Sequence, residues 1–237
     1  MKHFIYIILF FAMTSQAAEL RIEGGRVETL KNYYQIPGNT GDRVDLPEGD
    51  QITYFRLSGE YQFNERHAVH VLYAPLKVDY SITPTANVNF NGQVFNSGEQ
   101  TRATYQFNSY RVGYIYTFDA RSSTVYRIGF TGKLRDAFIE MQSASASSKK
   151  SNVGFVPLLK LAATRSLSDD WRLEFDFDGL GAEQGRAIDA AISARWLAEP
   201  KWSLSFGARA LDGGANNDEV ENFGTFVFYF VGAQLQL

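Results

Sequence analysis

The sequence predicts an all-β chain: a closed, antiparallel, up-and-down transmembrane β-barrel of about ten strands, with eight or twelve as alternatives. Three observations predict it. Segments alternating between apolar and polar residues recur about ten times, each followed by a break, and no helical periodicity interrupts them. The breaks alternate between short and longer, polar ones, as tight turns on one side of a membrane and looser loops on the other would require. The composition fits: 15% of residues are aromatic, with 13 Tyr and 19 Phe against 6 Pro.

Residues 1–17 form a unit of their own. Lys2, an apolar run over 4–13 and small residues before Glu19 have the layout of a cleavable export signal. The run is shorter than the ~20 residues a membrane helix takes. The remaining residues, 18–237, are read as one barrel domain. The chain has no Cys, which excludes disulfides, thiolate chemistry and Cys-based zinc sites. A formal net charge of −3 with no basic patch gives no support for nucleic-acid binding.

The first segment is 19–34, bent at Gly24 and Gly25, followed by a polar break over 37–50. The second, 53–63, sets Phe55, Leu57, Gly59, Tyr61 and Phe63 against Tyr54, Arg56, Ser58, Glu60 and Gln62. A short turn at 64–66 leads to the third, 67–80, whose two columns, one with Val69, Val71 and Tyr73 and the other with Leu72, Ala74, Leu76 and Val78, are both apolar enough for lipid. The long break 81–103 has room for a hairpin of its own. The fourth segment, 104–118, carries Tyr110, Val112, Tyr114, Tyr116 and Phe118 on one face, and a turn at 119–123 follows. The fifth, 124–140, sets Tyr126, Ile128, Phe130 and Leu134 against Arg127, Lys133 and Arg135. The polar stretch 143–152 is expected to be a loop. The sixth, 153–165, is apolar nearly throughout, so its faces stay open.

After a turn at 166–170, the seventh segment, 171–178, alternates without error: Trp171, Leu173, Phe175 and Phe177 against Arg172, Glu174, Asp176 and Asp178. Residues 179–185 are expected to be a loop; the glycines there lack the spacing of a phosphate loop. The eighth segment, 186–197, opposes Ile188, Ile192 and Trp196 to Asp189, Ser193 and Arg195. A turn at 198–201 precedes the ninth, 202–211, with Trp202, Leu204 and Phe206 opposite Ser203, Ser205 and Arg209. The stretch 212–219 is expected to be a solvated loop, although Asp212, Asn217, Asp218 and Glu219 carry oxygens of the kind calcium takes.

Alternation alone does not say which face is wet, and a soluble periplasmic barrel with its apolar face inward is the rival fold. Aromatic placement favours the membrane. Trp171, Trp196 and Trp202, the only three Trp residues, stand within a residue or two of short turns, as do Tyr61, Tyr116 and Tyr126. Amphipathic rings at one level are what a membrane interface selects.

The closing strand carries the resemblance. Counting back from the end gives an unbroken column of Leu237, Leu235, Ala233, Val231, Tyr229 and Val227, while Gln236, Gln234 and Gly232 alternate with it. This resembles the last strand of small bacterial outer-membrane β-barrel proteins of the OmpA-, OmpX- and OmpW-like class, with Leu237 where that class usually carries Phe or Trp. The resemblance implies an outer-membrane location, contact with membrane lipid and lipopolysaccharide, and recognition of the segment from Tyr229 to Leu237 by the barrel-assembly machinery. A monomer is expected, with no cofactor and no metal.

With the apolar columns facing lipid, the lumen would hold Arg56, Glu60, Arg127, Lys133, Arg135, Arg172, Glu174, Asp176, Asp178, Asp189, Arg195 and Arg209. A barrel of about ten strands is little wider than its side chains need, so these charges are expected to pair as a plug; the alternative is a narrow path, with the cations of the fifth segment facing the acids of the seventh. Enzymes of the outer-membrane class, lipid A-modifying or omptin-like, need a His with Ser or Asp partners near the outer rim. Here only His67 and His70 follow the export signal, three apart and so on opposite faces, near a short turn. The expectation is a non-enzymatic barrel with a structural, surface-interaction or narrow-channel role. An uptake channel for small, possibly hydrophobic molecules and a lipid A- or peptide-modifying enzyme are the alternatives.

Overall fold

A computed structural model describes residues 18–47 and 52–237; the export signal expected over 1–17 lies outside the described residues. The strands are β1 (Ala18–Gln35), β2 (Arg43–Leu46), β3 (Ile52–Gln62), β4 (His67–Ala74), β5 (Lys77–Ile82), β6 (Val88–Phe90), β7 (Gln93–Phe95), β8 (Thr101–Phe118), β9 (Thr124–Gln142), β10 (Ser147–Ser166), β11 (Trp171–Ala182), β12 (Gly185–Trp196), β13 (Trp202–Asn216) and β14 (Glu221–Gln236). Among the described residues each wall strand pairs antiparallel with its neighbours in chain order, β4 and β5 together making one wall element beside β8. The first and last strands close the ring, from Glu19 opposite Gln236 to Gln35 opposite Glu221, with a bulge between Thr29 and Lys31. The result is a closed ten-stranded barrel without an open edge at the seam.

The period-two pattern decides which side of the wall each residue takes. Leu57, Phe130, Phe175, Ile192, Phe206 and Val231 project outward and are exposed. Arg56, Thr131, Glu174, Ser193, Ser205 and Gln234 point inward and are buried. The turns 63–66, 119–123, 167–170 and 197–201 lie at the end that carries both described termini, called here the lower end.

The interior has two tiers. The lower tier is ionic. The upper tier is an apolar cluster containing Val27, Tyr34, Leu76, Val78, Tyr80, Tyr105, Ile139, Phe226 and Phe228. The β6–β7 hairpin folds over it, placing Phe90 edge-on to Tyr34 at 5.3 Å between ring centroids. The hairpin is tied down by Asn91 N–H donating to the Ile36 carbonyl at 2.7 Å and by Asp42 N–H donating to the Asn89 carbonyl at 3.0 Å. Tyr80 is anchored by the Asn32 amide, which donates to its hydroxyl at 2.9 Å.

Several expected loops are strand instead. Residues 147–152 continue β10 against 137–142 of β9, leaving 143–146 as the turn. Gly179 to Ala182 extends β11, and a turn of two residues, 183–184, leads into β12 at Gly185, whose φ of 148° suits a glycine. The stretch beyond Leu211 continues β13 to Asn216. In these outer stretches the residues of both faces are polar or small, Leu180 apart, so the alternation disappears although the hydrogen-bond ladder goes on. The break 81–103 does hold a hairpin, β6–β7.

Candidate functional site: the charged lumen

The lower lumen is filled by charges brought from opposite walls. Asp189 on β12 is its centre. One carboxylate oxygen accepts from Arg209 on β13 at 2.6 Å, and the other accepts from Arg111 on β8 at 2.6 Å and from Arg56 on β3 at 3.1 Å. Arg111 also donates to Asp178 on β11 at 2.8 Å, and Asp178 accepts from the Thr131 hydroxyl at 2.8 Å. Lys160 on β10 bridges Asp176 at 2.6 Å and Asp178 at 3.5 Å. Toward β1, Glu23 meets Arg209 at 3.2 Å and Arg56 at 3.7 Å, and Arg21 meets Glu174 at 2.7 Å. Arg195 joins Glu174 to Glu19.

Arg21 also meets Glu23 at 3.6 Å, so that among the described residues these contacts form one continuous network of six bases (Arg21, Arg56, Arg111, Lys160, Arg195, Arg209) and six acids (Glu19, Glu23, Glu174, Asp176, Asp178, Asp189). The balance matters, because an uncompensated buried charge costs several kcal/mol whereas a paired, hydrogen-bonded one comes near to breaking even. Gly113 makes room inside this tier: a Cβ there would stand 2.3 Å from the His70 ring.

Of the inward charges named from the sequence, Arg56, Glu174, Asp176, Asp178, Asp189, Arg195 and Arg209 are members of this network. Glu60 and Arg127 pair with each other beside it. Three behave differently. Arg172 donates to the Ser168 carbonyl at 2.6 Å and so caps the lower turn instead of joining the network. Lys133 lies over the Phe107 ring at 4.4 Å, and Arg135 donates to Asn152. The cations of β9 therefore do not face the acids of β11; those acids are neutralised by Arg21, Arg195, Lys160 and Arg111. Sequence reading missed Glu19, Arg21, Glu23, Arg111 and Lys160. Arg111 occupies the column opposite Tyr110 and Val112, and Glu23 the one opposite Ile22, so the same alternation marks them. Lys160 sits in a strand whose two columns look alike.

Outside the wall, Trp171 stands directly opposite Trp196 in the β11–β12 ladder, and Trp202 lies opposite Leu235. All three are exposed, as is Tyr126, and Tyr61 and Tyr116 are half-exposed at the same lower end. His67 and His70 take opposite faces: the His67 ring bonds the Tyr114 hydroxyl at 2.5 Å, while His70 is buried in the lumen. Among the described residues no group of three or more His, Cys, Asp or Glu is arranged to hold a metal ion. At the upper end Asp212 pairs with Arg186 and accepts from Thr225, and the Asn217 side chain accepts from the Glu219 and Val220 amides.

No protein-family model matches the chain, and no curated protein matches it significantly. Solved structures do. The outer membrane protease OmpT from Escherichia coli superimposes with a TM-score of 0.62 at 7% identity, over 96% of this chain and 99% of that one. The attachment invasion locus protein Ail of Yersinia pestis, with bound sucrose octasulfate, gives 0.42 at 11% identity over 93% and 99%. Neisserial surface protein A gives 0.40 at 13% identity over 93% and 99%. At such identities the likeness is one of fold. With its apolar columns outside and its charges enclosed, the chain has the fold of the small outer-membrane β-barrels.

Proposed function

We propose that this chain is a non-enzymatic barrel of the outer membrane whose lumen is sealed, so that its work is done at the outer end and on the outer wall, as a structural or surface-interaction protein. The observation that carries this reading is the convergence of Arg56, Arg111 and Arg209 on Asp189, which ties four strands together across the interior. Above it, Tyr80, Phe90 and Phe95 are buried in the apolar tier under the β6–β7 hairpin. An ion would have to displace the ionic tier to pass. The cavity among the lower charges is small, about 120 Å³. The remoteness of His67 and His70 from the upper end supports the non-enzymatic part of the reading.

On this reading the protein is a monomer surrounded by outer-membrane lipid and lipopolysaccharide, and the segment from Tyr229 to Leu237 serves as the handle for barrel assembly. Reconstitution into planar bilayers tests the sealed lumen. The expected result is a baseline without stepwise currents under either polarity. Reproducible single-channel currents from the folded protein would replace this reading with that of a channel.

A further inference from the structure

The upper lumen is not filled on all sides. β10 pairs with β9 from Ser147 to Arg165, but with β11 only from Leu159 to Ser166. Above Leu159 and Gly179 the two strands separate: β11 ends at Ala182, while β10 runs on past it with an unpaired edge. Pro157, which has no N–H to leave unsatisfied, sits in that edge. Behind the notch lies a cavity of about 410 Å³, within the range that holds small ligands.

Its walls are of three kinds. Phe107, Val156, Leu180, Leu211 and Phe226 make part of it apolar, Arg186 and Asp212 line its upper part paired with each other, and Lys133 and Arg135 project into it from neighbouring inward positions of β9. Neither cation has a carboxylate within 4.0 Å among the described residues, unlike the bases of the ionic tier below. Lys133 is only 2% exposed and lies over the Phe107 ring. Arg135 uses one guanidinium nitrogen on Asn152, and its buried Nε has no hydrogen-bond partner among the described residues. Two basic side chains without a carboxylate partner among the described residues, lining one partly apolar cavity, make a site for something that brings its own negative charge.

We propose that this cavity binds a single-chain amphiphile with an anionic head, a medium-chain carboxylate, which enters from the outer leaflet through the gap between β10 and β11. The carboxylate sits between Lys133 and Arg135, and the alkyl chain lies along Phe107, Leu180, Leu211 and Phe226. The site is closed below by the ionic tier, so it loads from the side and does not require a through-channel.

The test is equilibrium binding of radiolabelled dodecanoate to the folded protein in nanodiscs of uncharged lipid, with empty nanodiscs as reference. Saturable binding of one dodecanoate per barrel is expected, competed by dodecyl sulfate but not by dodecanol. Lys133→Gln and Arg135→Gln should each weaken it about tenfold or more, from the loss of a charge-assisted hydrogen bond. Arg172→Gln, at the lower turn, should leave it unchanged, and unaltered gel mobility of each unboiled variant shows that the fold is kept. Binding no greater than that of empty nanodiscs, equal competition by dodecanol, or full affinity in the doubly substituted protein would overturn the proposal. Saturable binding of purified lipopolysaccharide, weakened by both substitutions, with no saturable dodecanoate binding would also overturn it, by assigning the two basic groups to a lipid headgroup.

Discussion

Arg111 and Asp189 meet inside the barrel from walls four strands apart, a guanidinium nitrogen 2.6 Å from a carboxylate oxygen. That contact is shared, because Asp189 also neutralises Arg56 and Arg209. One acid therefore holds three buried cations.

Replacing Asp189 by Ala should accordingly be far more damaging than removing a peripheral partner. It leaves three buried guanidinium groups with only Glu23 and Asp178 to neutralise them, and breaking a buried pair from one side costs about 3–5 kcal/mol. Glu19→Ala, at the lower rim, should cost about 1 kcal/mol or less, since half-exposed pairs contribute little. Thermal unfolding in detergent, read by the loss of the fast-migrating unboiled band, checks the order of the two.

The outer wall makes a depth-dependent prediction. Phe206 projects outward from the middle of the lower half of β13, whereas Trp202 stands at its lower end. Phe206→Arg should destabilise by about 2–4 kcal/mol and Trp202→Arg by about 0–1 kcal/mol, as charges on a lipid face do at the midplane and at the interface. Equilibrium folding into lipid vesicles measures both.

Acid should loosen the upper end first. In the outward column of β9, Leu134 is followed by Asp136, by Phe138 under the Lys149 ammonium, and by Glu140 and Gln142, so β5, which pairs with the upper part of β8, lies above the membrane band. There, burial would raise the Asp79 pKa, but hydrogen bonds from Arg102 at 2.7 Å and Thr104 at 2.6 Å, with the Arg102 charge, hold it below its ordinary value of 3.8. The stabilisation is full above that value and lost as pH falls through the depressed one. Hydrogen-exchange protection of β5, corrected for intrinsic rates, should drop at the acid end in the native chain and be flat in Asp79→Asn.

How much of this was legible depended on contrast between the two columns of a strand. In β11, Trp171, Leu173 and Phe175 against Arg172, Glu174 and Asp176 left no ambiguity, because one column is exposed on the outer wall and the other turns toward the ionic tier. In β4 and β5 the inward column runs His70, Leu72, Ala74, Leu76, Val78, Tyr80, crossing from the ionic into the apolar tier. Two apolar columns then look alike, and only the packing of Leu76, Val78 and Tyr80 against the cap tells them apart. The outer ends of β10, β11 and β13 were hidden for the opposite reason: 147–152, 179–182 and 212–216 carry mostly polar or small residues in both columns. Which acid meets which base was not legible at all. It depends on how the closed ring sets β12 across from β3 and β8, a relation between residues such as Arg56 and Asp189 that are 133 positions apart.

The absence of native Cys allows the most direct test of the orientation on which the account rests. Single Cys substitutions from Leu204 to Ala208, each carrying a nitroxide, can be compared in lipid bilayers for collision with oxygen and with a water-soluble nickel complex. The account predicts high oxygen access at 204, 206 and 208 and restricted motion with low access to either reagent at 205 and 207. Oxygen access at 205 and 207 with nickel access at 204, 206 and 208, or no period of two, would contradict it.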